Sequence, residues 1–201
     1  MNIEGIEIEW LGHSSFIINN NIFIDPYNID TDKKADLILI THSHYDHCSL
    51  SDIKKIIKPE TIIIGPPDCS STFSRIEDLK FKIIAPGKKF TSNNLTIEAI
   101  PAYNIKKQFH PKENEWIGYI LTLNNKKIYH AGDTDLVPEM NNLNVDISLL
   151  PIDGTYTMNA IEAAEAVSKI KTKVAIPMHY SDKEQAENFK DLVKNAKVII
   201  F

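Results

Sequence analysis

A cluster of histidine and aspartate residues directly after a buried strand is the feature that most constrains this chain. The apolar residues 37–40 are followed by the run Thr41-His42-Ser43-His44-Tyr45-Asp46-His47. In an extended segment, residues two apart point to the same side, so His42 and His44 can hold one ion together. Asp46 and His47 follow just past the turn and can face a neighbouring ion. Three histidines and one carboxylate within six residues suit a divalent metal such as zinc better than a plain surface loop.

The pattern of apolar residues in the first half predicts a sheet with helices. Alternation of apolar and charged residues indicates a half-buried strand at 6–10, and two further short strand-like runs occupy 15–18 and 21–24, with a plausible hairpin turn at Asn19-Asn20. Continuous apolar runs, which are typical of strands covered on both faces, occupy residues 37–40, 61–64 and 83–85. Short helices are predicted at residues 51–57 and 71–79.

The second half repeats this plan. Strands are predicted at residues 95–99, 117–129 with a hairpin turn at Asn124-Asn125, 145–151, 174–178 and 198–201. Helices are predicted at 159–170, where Asn159 can cap the first turn with Glu162 three residues later, and at 183–195. Two βα halves, about 1–100 and 101–201, predict one α/β domain over residues 1–201, a four-layer αββα sandwich.

Composition narrows the class of partner. The apolar fraction of 43% and the charged fraction of 24% are ordinary for a globular protein, and the net charge of -5 does not favour a nucleic-acid partner. No apolar run approaches the ~18 residues of a membrane span. Because residues 1–4 carry no basic, apolar leader, we expect a reducing cytoplasm with Cys48 and Cys69 as free thiols. A small-molecule substrate and a possible homo-oligomer are the remaining expectations.

The histidine cluster resembles the HxHxDH motif of the metallo-β-lactamase superfamily, and further landmarks follow in the family's order. Residues 10–16, Trp-Leu-Gly-His-Ser-Ser-Phe, and residues 24–26, Ile-Asp-Pro, are similar to its opening segments. Residues 131–134, Ala-Gly-Asp-Thr, and 177–180, Pro-Met-His-Tyr, are similar to its later metal-binding segments. The branch with this combination holds UPF0173-type hydrolases, ascorbate-lactonase-like proteins and N-acyl-phosphatidylethanolamine phospholipase D.

The resemblance implies a binuclear metal site and assigns its ligands. His42 and His44 would hold the first metal, whereas Asp46, His47 and His179 would hold the second. Asp133 would bridge the two ions, with a water or hydroxide between them. Asp46 and Asp133 are thereby implied as catalytic residues. The implied cofactors are two divalent ions, with zinc expected first and manganese, iron or nickel as alternatives.

The first metal normally takes a third histidine, and here the sequence departs from the family. The matching segment is Pro101-Ala102-Tyr103-Asn104, with Asn104 where relatives often place that histidine. His110 lies six residues later and is the better zinc donor. Either residue can complete the site, and if neither does, the first site is incomplete.

Several other residues are weaker candidates. Asp25 is expected to orient a ligand imidazole through its second ring nitrogen. His13 is expected near the site, whereas His130 and Cys48 are expected to be packing residues. Candidate pocket walls and substrate contacts are Tyr27, Tyr103, Trp116, Tyr156, Lys107 and Lys112.

The expected function is that of a metal-dependent hydrolase. A metal-bound hydroxide would attack a small ester, lactone, amide or phosphodiester, with phosphodiesters and lactones favoured by the branch resemblance. Two alternatives remain at this point: a diiron-type redox protein and a non-catalytic metal-binding scaffold of the same fold.

Overall fold

The chain divides into two compact units, Met1–Ala85 and Pro86–Phe201. The computed structural model describes residues 1–74, 79–92 and 94–201. The sequence placed the boundary between the halves near residue 100, whereas the strands that begin at residue 89 belong to the second unit. Each unit is built from one mixed sheet and its helices, so the predicted repetition of the plan is present.

The N-terminal unit contains one seven-stranded sheet among its described residues. In sheet order the strands are β1 (Asn2–Ile3), β2 (Ile6–Gly12), β3 (Ser15–Ile18), β4 (Ile22–Ile24), β5 (Leu37–Leu39), β6 (Ile62–Gly65) and β7 (Lys80–Ile83). The helices are α1 (Leu50–Ile56), a 3-10 turn at Pro67–Cys69 and α2 (Ser70–Phe73). Strands β1 to β4 pair antiparallel and β4 to β7 pair parallel. The carboxyl ends of β4 and β5 therefore meet at one edge.

The C-terminal unit has the same arrangement in its described part. In chain order its strands are β8 (Lys89–Ser92), β9 (Leu95–Pro101), β10 (Ile117–Leu123), β11 (Lys126–His130), β12 (Ile147–Pro151), β13 (Val174–Met178) and β14 (Lys197–Val198). The helices are α3 (Ala160–Ile170), α4 (Lys183–Leu192) and 3-10 turns at Lys112–Asn114 and Pro138–Asn142. Strands β8 to β11 pair antiparallel and β11 to β14 pair parallel. The carboxyl ends of β11, β12 and β13 consequently lie side by side.

Asparagine pairs close the two predicted hairpins. Asn19 and Asn20 have φ angles of 48° and 66°, and Asn124 and Asn125 have 49° and 62°. Two consecutive residues with positive φ are typical of a type I′ turn, whose twist matches that of the flanking strands. Asparagine tolerates this conformation better than other side chains do, which is why the turns form at these dipeptides.

The continuous apolar runs are buried parallel strands, with one exception. All residues of β5, β12 and β13 are buried. The strand expected at 83–85 instead spans Lys80–Ile83, and its Ile83 is 61% exposed. Because β7 is the last strand in the sheet order of the described residues, its pairing there is with β6, and three of its four residues are exposed.

Helix α3 begins with the capping interaction that the sequence predicts. The Asn159 side chain accepts a hydrogen bond from the Glu162 backbone N–H at 2.9 Å, and the Glu162 carboxylate accepts from the Asn159 N–H at 3.0 Å. This capping box fixes the start of the helix. Val167 and Ile170 are among the residues that its apolar face buries.

The remaining helix and strand predictions differ from the structure mainly in length. The helix expected at 71–79 is α2, which covers only Ser70–Phe73, and residues 75–78 lie outside the described residues. Helix α4 ends at Leu192 rather than at residue 195, and the last strand is a two-residue pair, Lys197–Val198. None of the helices in the described ranges has the length and apolar character needed to cross a bilayer.

Candidate functional site

The histidine cluster of the N-terminal unit lies at the carboxyl end of β5. His42 is 1% exposed and His47 is fully buried, whereas His44 is partly exposed. The backbone N–H groups of His47 and Cys48 both donate to the His44 carbonyl oxygen, at 3.1 and 2.8 Å. This tight turn brings His47 back beside His42, and their ring centroids are 4.0 Å apart. The local fold therefore gathers the imidazoles that the sequence singled out.

Asp25 organises this cluster from the end of the neighbouring strand β4. One of its carboxylate oxygens accepts from the Thr41 backbone N–H at 2.8 Å, and the other accepts from the Thr41 hydroxyl at 2.6 Å and from His47 Nδ1 at 2.8 Å. The Thr41 oxygen in turn lies 2.9 Å from His42 Nδ1. Donor atoms of Asp25, His42 and His47 all lie within 4.8 Å of one another. Because its oxygens already accept these hydrogen bonds, Asp25 is suited to orient imidazoles, as the sequence predicts, rather than to hold an ion.

The nitrogen atoms of His42 and His44 fit a zinc ion. His42 Nε2 and His44 Nδ1 are 3.0 Å apart. Two imidazole ligands of a tetrahedral zinc, each about 2.0–2.1 Å from the metal, are separated by about 3.3 Å. The observed separation is close to this value, so the two nitrogen atoms are placed suitably to coordinate one zinc ion together.

Asp46 and His13 lie together on the partly exposed side of the cluster. Their side chains are 23% and 25% exposed, and His13 Nε2 is 3.5 Å from Asp46 Oδ2. His13 also makes an edge contact with Tyr27, at 5.7 Å between ring centroids, and Tyr27 contacts Tyr45 at 5.8 Å. Tyr45 is 76% exposed. His13 therefore contacts the Asp46 carboxylate on one side and Tyr27 on another, and Tyr45 lies beside Tyr27.

The C-terminal unit brings together three predicted ligands. Asp133 follows β11, His179 follows β13, and His110 lies in the segment after β9. Oδ2 of Asp133 is 3.0 Å from His179 Nε2 and 3.4 Å from His110 Nε2. All three side chains are nearly buried, with exposed fractions of 8% or less. A single carboxylate oxygen thus lies between two imidazole nitrogens, at separations that match those between ligands of a tetrahedral metal.

Asn104 is hydrogen-bonded to His110. Its amide oxygen accepts from the His110 backbone N–H at 3.0 Å and lies 3.1 Å from His110 Nδ1. Its amide nitrogen donates to Asp135 at 3.1 Å and to the Tyr156 carbonyl oxygen at 2.9 Å. Both lone pairs of the Asn104 oxygen therefore face His110, so Asn104 orients this imidazole through Nδ1 and leaves Nε2 directed at Asp133.

Asp153 is a site residue that the sequence analysis missed. Its Oδ2 lies 3.0 Å from His179 Nδ1, on the opposite side of the ring from Asp133. Burial alone would raise the pKa of Asp153, but hydrogen bonds from His179, the Tyr156 backbone N–H and the Thr157 hydroxyl outweigh it and lower the pKa. Asp153 could have been found from its position just past a buried strand, because His42 was singled out by the same kind of position.

Other candidates have structural roles. Lys107 is paired with Asp135 at 2.6 Å, and the Lys112 ammonium lies 4.5 Å above the Tyr103 ring. Both lysine side chains therefore make contacts within the protein. The remaining candidates are mostly packed in the interior: Tyr103 and Trp116 are 7% and 6% exposed, and His130 and Cys48 are buried. Of the C-terminal aromatic candidates, Tyr156 is the exposed one, at 47%.

Comparison with known proteins identifies the family. Residues 7–179 match the model of the β-lactamase superfamily domain. A UPF0173 metal-dependent hydrolase from Thermoplasma acidophilum is 33% identical over 89% of this chain and 85% of its own length. A UPF0173 protein from Pyrococcus abyssi is 32% identical over 96% of this chain and 93% of its own. Both relatives are matched over most of their length.

A solved structure supports the same conclusion. The crystal structure of a protein described as a metal-dependent hydrolase from Parabacteroides distasonis is 35% identical in sequence and superposes with a TM-score of 0.88. The match covers 97% of this chain and 92% of that one. The predicted α/β fold and the predicted family are therefore confirmed. This chain belongs to the UPF0173 metal-dependent hydrolases of the metallo-β-lactamase superfamily.

Proposed function

We propose that this hydrolase binds two divalent metal ions, with zinc as the leading candidate and manganese, iron or nickel as alternatives. The proposed ligands are His42, His44, Asp46, His47, His110, Asp133 and His179. The observation that carries the proposal is the position of Asp133 Oδ2, which lies 3.0 Å from His179 Nε2 and 3.4 Å from His110 Nε2. Imidazole and carboxylate are the donors that zinc and its neighbours prefer.

The division of the ligands follows the family pattern. His42, His44 and His110 are assigned to the first metal, Asp46, His47 and His179 to the second, and Asp133 to both. The hydrogen bonds of Asn104 support His110 as the third ligand of the first metal, because the amide oxygen is turned towards the imidazole Nδ1. A neutral amide oxygen is also a poorer zinc ligand than an imidazole nitrogen.

The proposed reaction is hydrolysis of a small ester, lactone, amide or phosphodiester. When bound, the two ions would polarise the electrophilic substrate oxygen and make a coordinated water more nucleophilic at neutral pH. Asp46 is the carboxylate that we assign to hold a proton of the attacking water at Oδ2, where His13 Nε2 lies 3.5 Å away and keeps it oriented. The net charge of -5 supports a small substrate over a nucleic acid. The two buried, free cysteines support a cytoplasmic, reducing location.

A substrate panel tests this proposal. Metal-free protein and protein loaded with zinc or manganese should be assayed with bis(p-nitrophenyl) phosphate, p-nitrophenyl acetate and a series of lactones. We expect turnover only in the loaded protein and loss of turnover in Asp46→Asn. Asp146→Asn is the matched control, because this carboxylate binds Lys173 and the Lys127 backbone and has no proposed role in the site. Metal-loaded protein that hydrolyses none of these compounds would contradict the proposed substrate classes.

A further inference from the structure

The Asp153 carboxylate is held in place by hydrogen bonds from its own loop. Asp153 follows β12, and its backbone forms an isolated bridge with Asn159, the residue that caps α3. Its Oδ1 accepts from the Tyr156 backbone N–H at 2.7 Å, and its Oδ2 accepts from the Thr157 hydroxyl at 2.8 Å. The carboxylate is therefore fixed by its own loop, independently of His179.

This anchored carboxylate determines which nitrogen of His179 carries a proton. An ionised carboxylate oxygen can only accept a hydrogen bond, so the contact of 3.0 Å between Asp153 Oδ2 and His179 Nδ1 requires Nδ1 to donate. In a neutral imidazole the other nitrogen, Nε2, then carries the lone pair. That nitrogen faces the Asp133 carboxylate, where the proposed metal would take the place of a second proton.

His110 has the same arrangement with a neutral partner. Its Nδ1 lies 3.1 Å from the Asn104 amide oxygen, and its Nε2 also faces Asp133. A carboxylate behind an imidazole makes the ring a stronger donor to a metal than a neutral acceptor does. The two histidines that flank Asp133 thus differ in the charge of the group behind them.

We propose that Asp153 is a positioning residue that fixes His179 with Nε2 free for the metal and makes it the stronger of the two histidine ligands beside Asp133. This inference rests on the proposed ligand role of His179. Asp153 does not itself contact the ion, since its two oxygens face Nδ1 and its own loop. Its effect is on how tightly the metal that His179 holds is bound.

The test compares metal affinity in three variants by equilibrium dialysis against zinc. Asp153→Asn should weaken one of the two zinc equivalents by about 10-fold or more, which is the usual effect of removing a partner behind a metal ligand. His179→Ala should weaken that equivalent further. Asp146→Asn, which removes a comparably hydrogen-bonded carboxylate of the same unit, should leave both equivalents unchanged.

A second readout distinguishes positioning from a general loss of structure. Long-range proton–nitrogen spectra of the loaded protein report which nitrogen of each imidazole is protonated. We expect His179 to carry its proton on Nδ1 in the native chain with the downfield shift of a hydrogen bond to a carboxylate, and Asp153→Asn to carry it there without that shift. If that variant does not fold, Thr157→Val keeps the charge but removes one anchor of the carboxylate, and should give a smaller loss of affinity.

The outcomes separate the inference from the proposed function. If His179→Ala loses zinc affinity while folded Asp153→Asn keeps the wild-type affinity, the positioning role alone is overturned. If Asp153→Asn does not fold, wild-type affinity in Thr157→Val has the same meaning. Wild-type zinc affinity in His179→Ala would overturn the proposed ligand set on which the inference rests. An equal loss in Asp153→Asn and Asp146→Asn would show that the effect is one of stability, and would also overturn the inference.

Discussion

His179 Nε2 lies 3.0 Å from Oδ2 of Asp133, with both side chains nearly buried. A carboxylate and an imidazole at this separation can share a metal ion, and the same Asp133 oxygen also faces His110. The chemistry proposed for this hydrolase depends on Asp133 more than on any other single carboxylate, because it alone is assigned to both ions.

Replacing Asp133 by asparagine tests the bridging role. Asp133→Asn keeps the size of the side chain but removes the charge that offsets two cations, so we expect turnover to fall by orders of magnitude. The melting temperature of the metal-free protein should change little. Turnover and bound metal should be measured together, with Asp146→Asn as the control. Near-normal turnover in Asp133→Asn would show that the bridging assignment is wrong.

The third ligand of the first metal can be identified with two variants. We expect His110→Ala to weaken one metal equivalent by about 10-fold or more, because a direct ligand is removed. Asn104→Ala should weaken the same equivalent less, since it removes only the acceptor behind His110 Nδ1. Equilibrium dialysis measures both. A loss of metal in Asn104→Ala with unchanged binding in His110→Ala would reverse the assignment.

Most of the proposed metal ligands could be named from the sequence because they lie in short local motifs. The segment after β5 needs only its own turn to bring His42 and His47 together. Asp25 was also predicted, as a residue that orients a ligand imidazole, and it directly follows the neighbouring strand β4. The apolar pattern indicates the buried strand before the cluster, whereas the ligand roles of Asp133 and His179 came from the resemblance to the metallo-β-lactamase superfamily.

The parts that the sequence did not predict depend on contacts between distant residues. Asp153 and His179 are 26 residues apart in the sequence and meet only because β12 and β13 are adjacent. The roles of Asn104 and Lys107 depend on Asp135, about 30 residues away. The exposed strand β7 was expected to be buried because an apolar run does not reveal whether a strand lies at the end of its sheet.

Asp52 should make stability depend on pH. Its carboxylate accepts hydrogen bonds from the backbone N–H groups of Asn28 and Ile29, at 3.0 and 3.3 Å. Burial alone would raise the pKa of Asp52, but bonds from Lys55, Ser49 and these N–H groups lower it below its usual value. The stabilisation is therefore present above the unfolded pKa of about 3.9 and is lost as the pH falls through the lower folded pKa.

The corresponding experiment is urea unfolding of the native chain and of Asp52→Ala, at pH 7 and at lower pH values that extend below about 4. At pH 7 we expect the variant to be less stable by about 1–3 kcal/mol, because two backbone donors lose their acceptor. The difference should shrink as the pH falls below about 4. Asp30→Asn, on the exposed surface of the adjoining segment, is the control. A difference that does not change with pH would contradict the role given to the Asp52 charge.

Cys48 and Cys69 should be unreactive in the folded protein. Both are buried in the core of the N-terminal unit, with exposed fractions of 6% and 0%. The hydrogen bond with Cys48 and burial together raise the pKa of the Cys69 thiol well above its usual range. Because the thiolate is the reactive form, iodoacetamide should label neither cysteine in the native protein and both in urea. Rapid labelling of the native protein would contradict this packing.

Metal content is the most direct test of the proposed binuclear site. The purified chain should be stripped with a chelator, loaded separately with zinc, manganese, iron and nickel, freed of excess metal and measured by elemental analysis. We expect more than one equivalent of at least one of these metals per chain, and less in His42→Ala and His179→Ala. No bound metal after loading would contradict it.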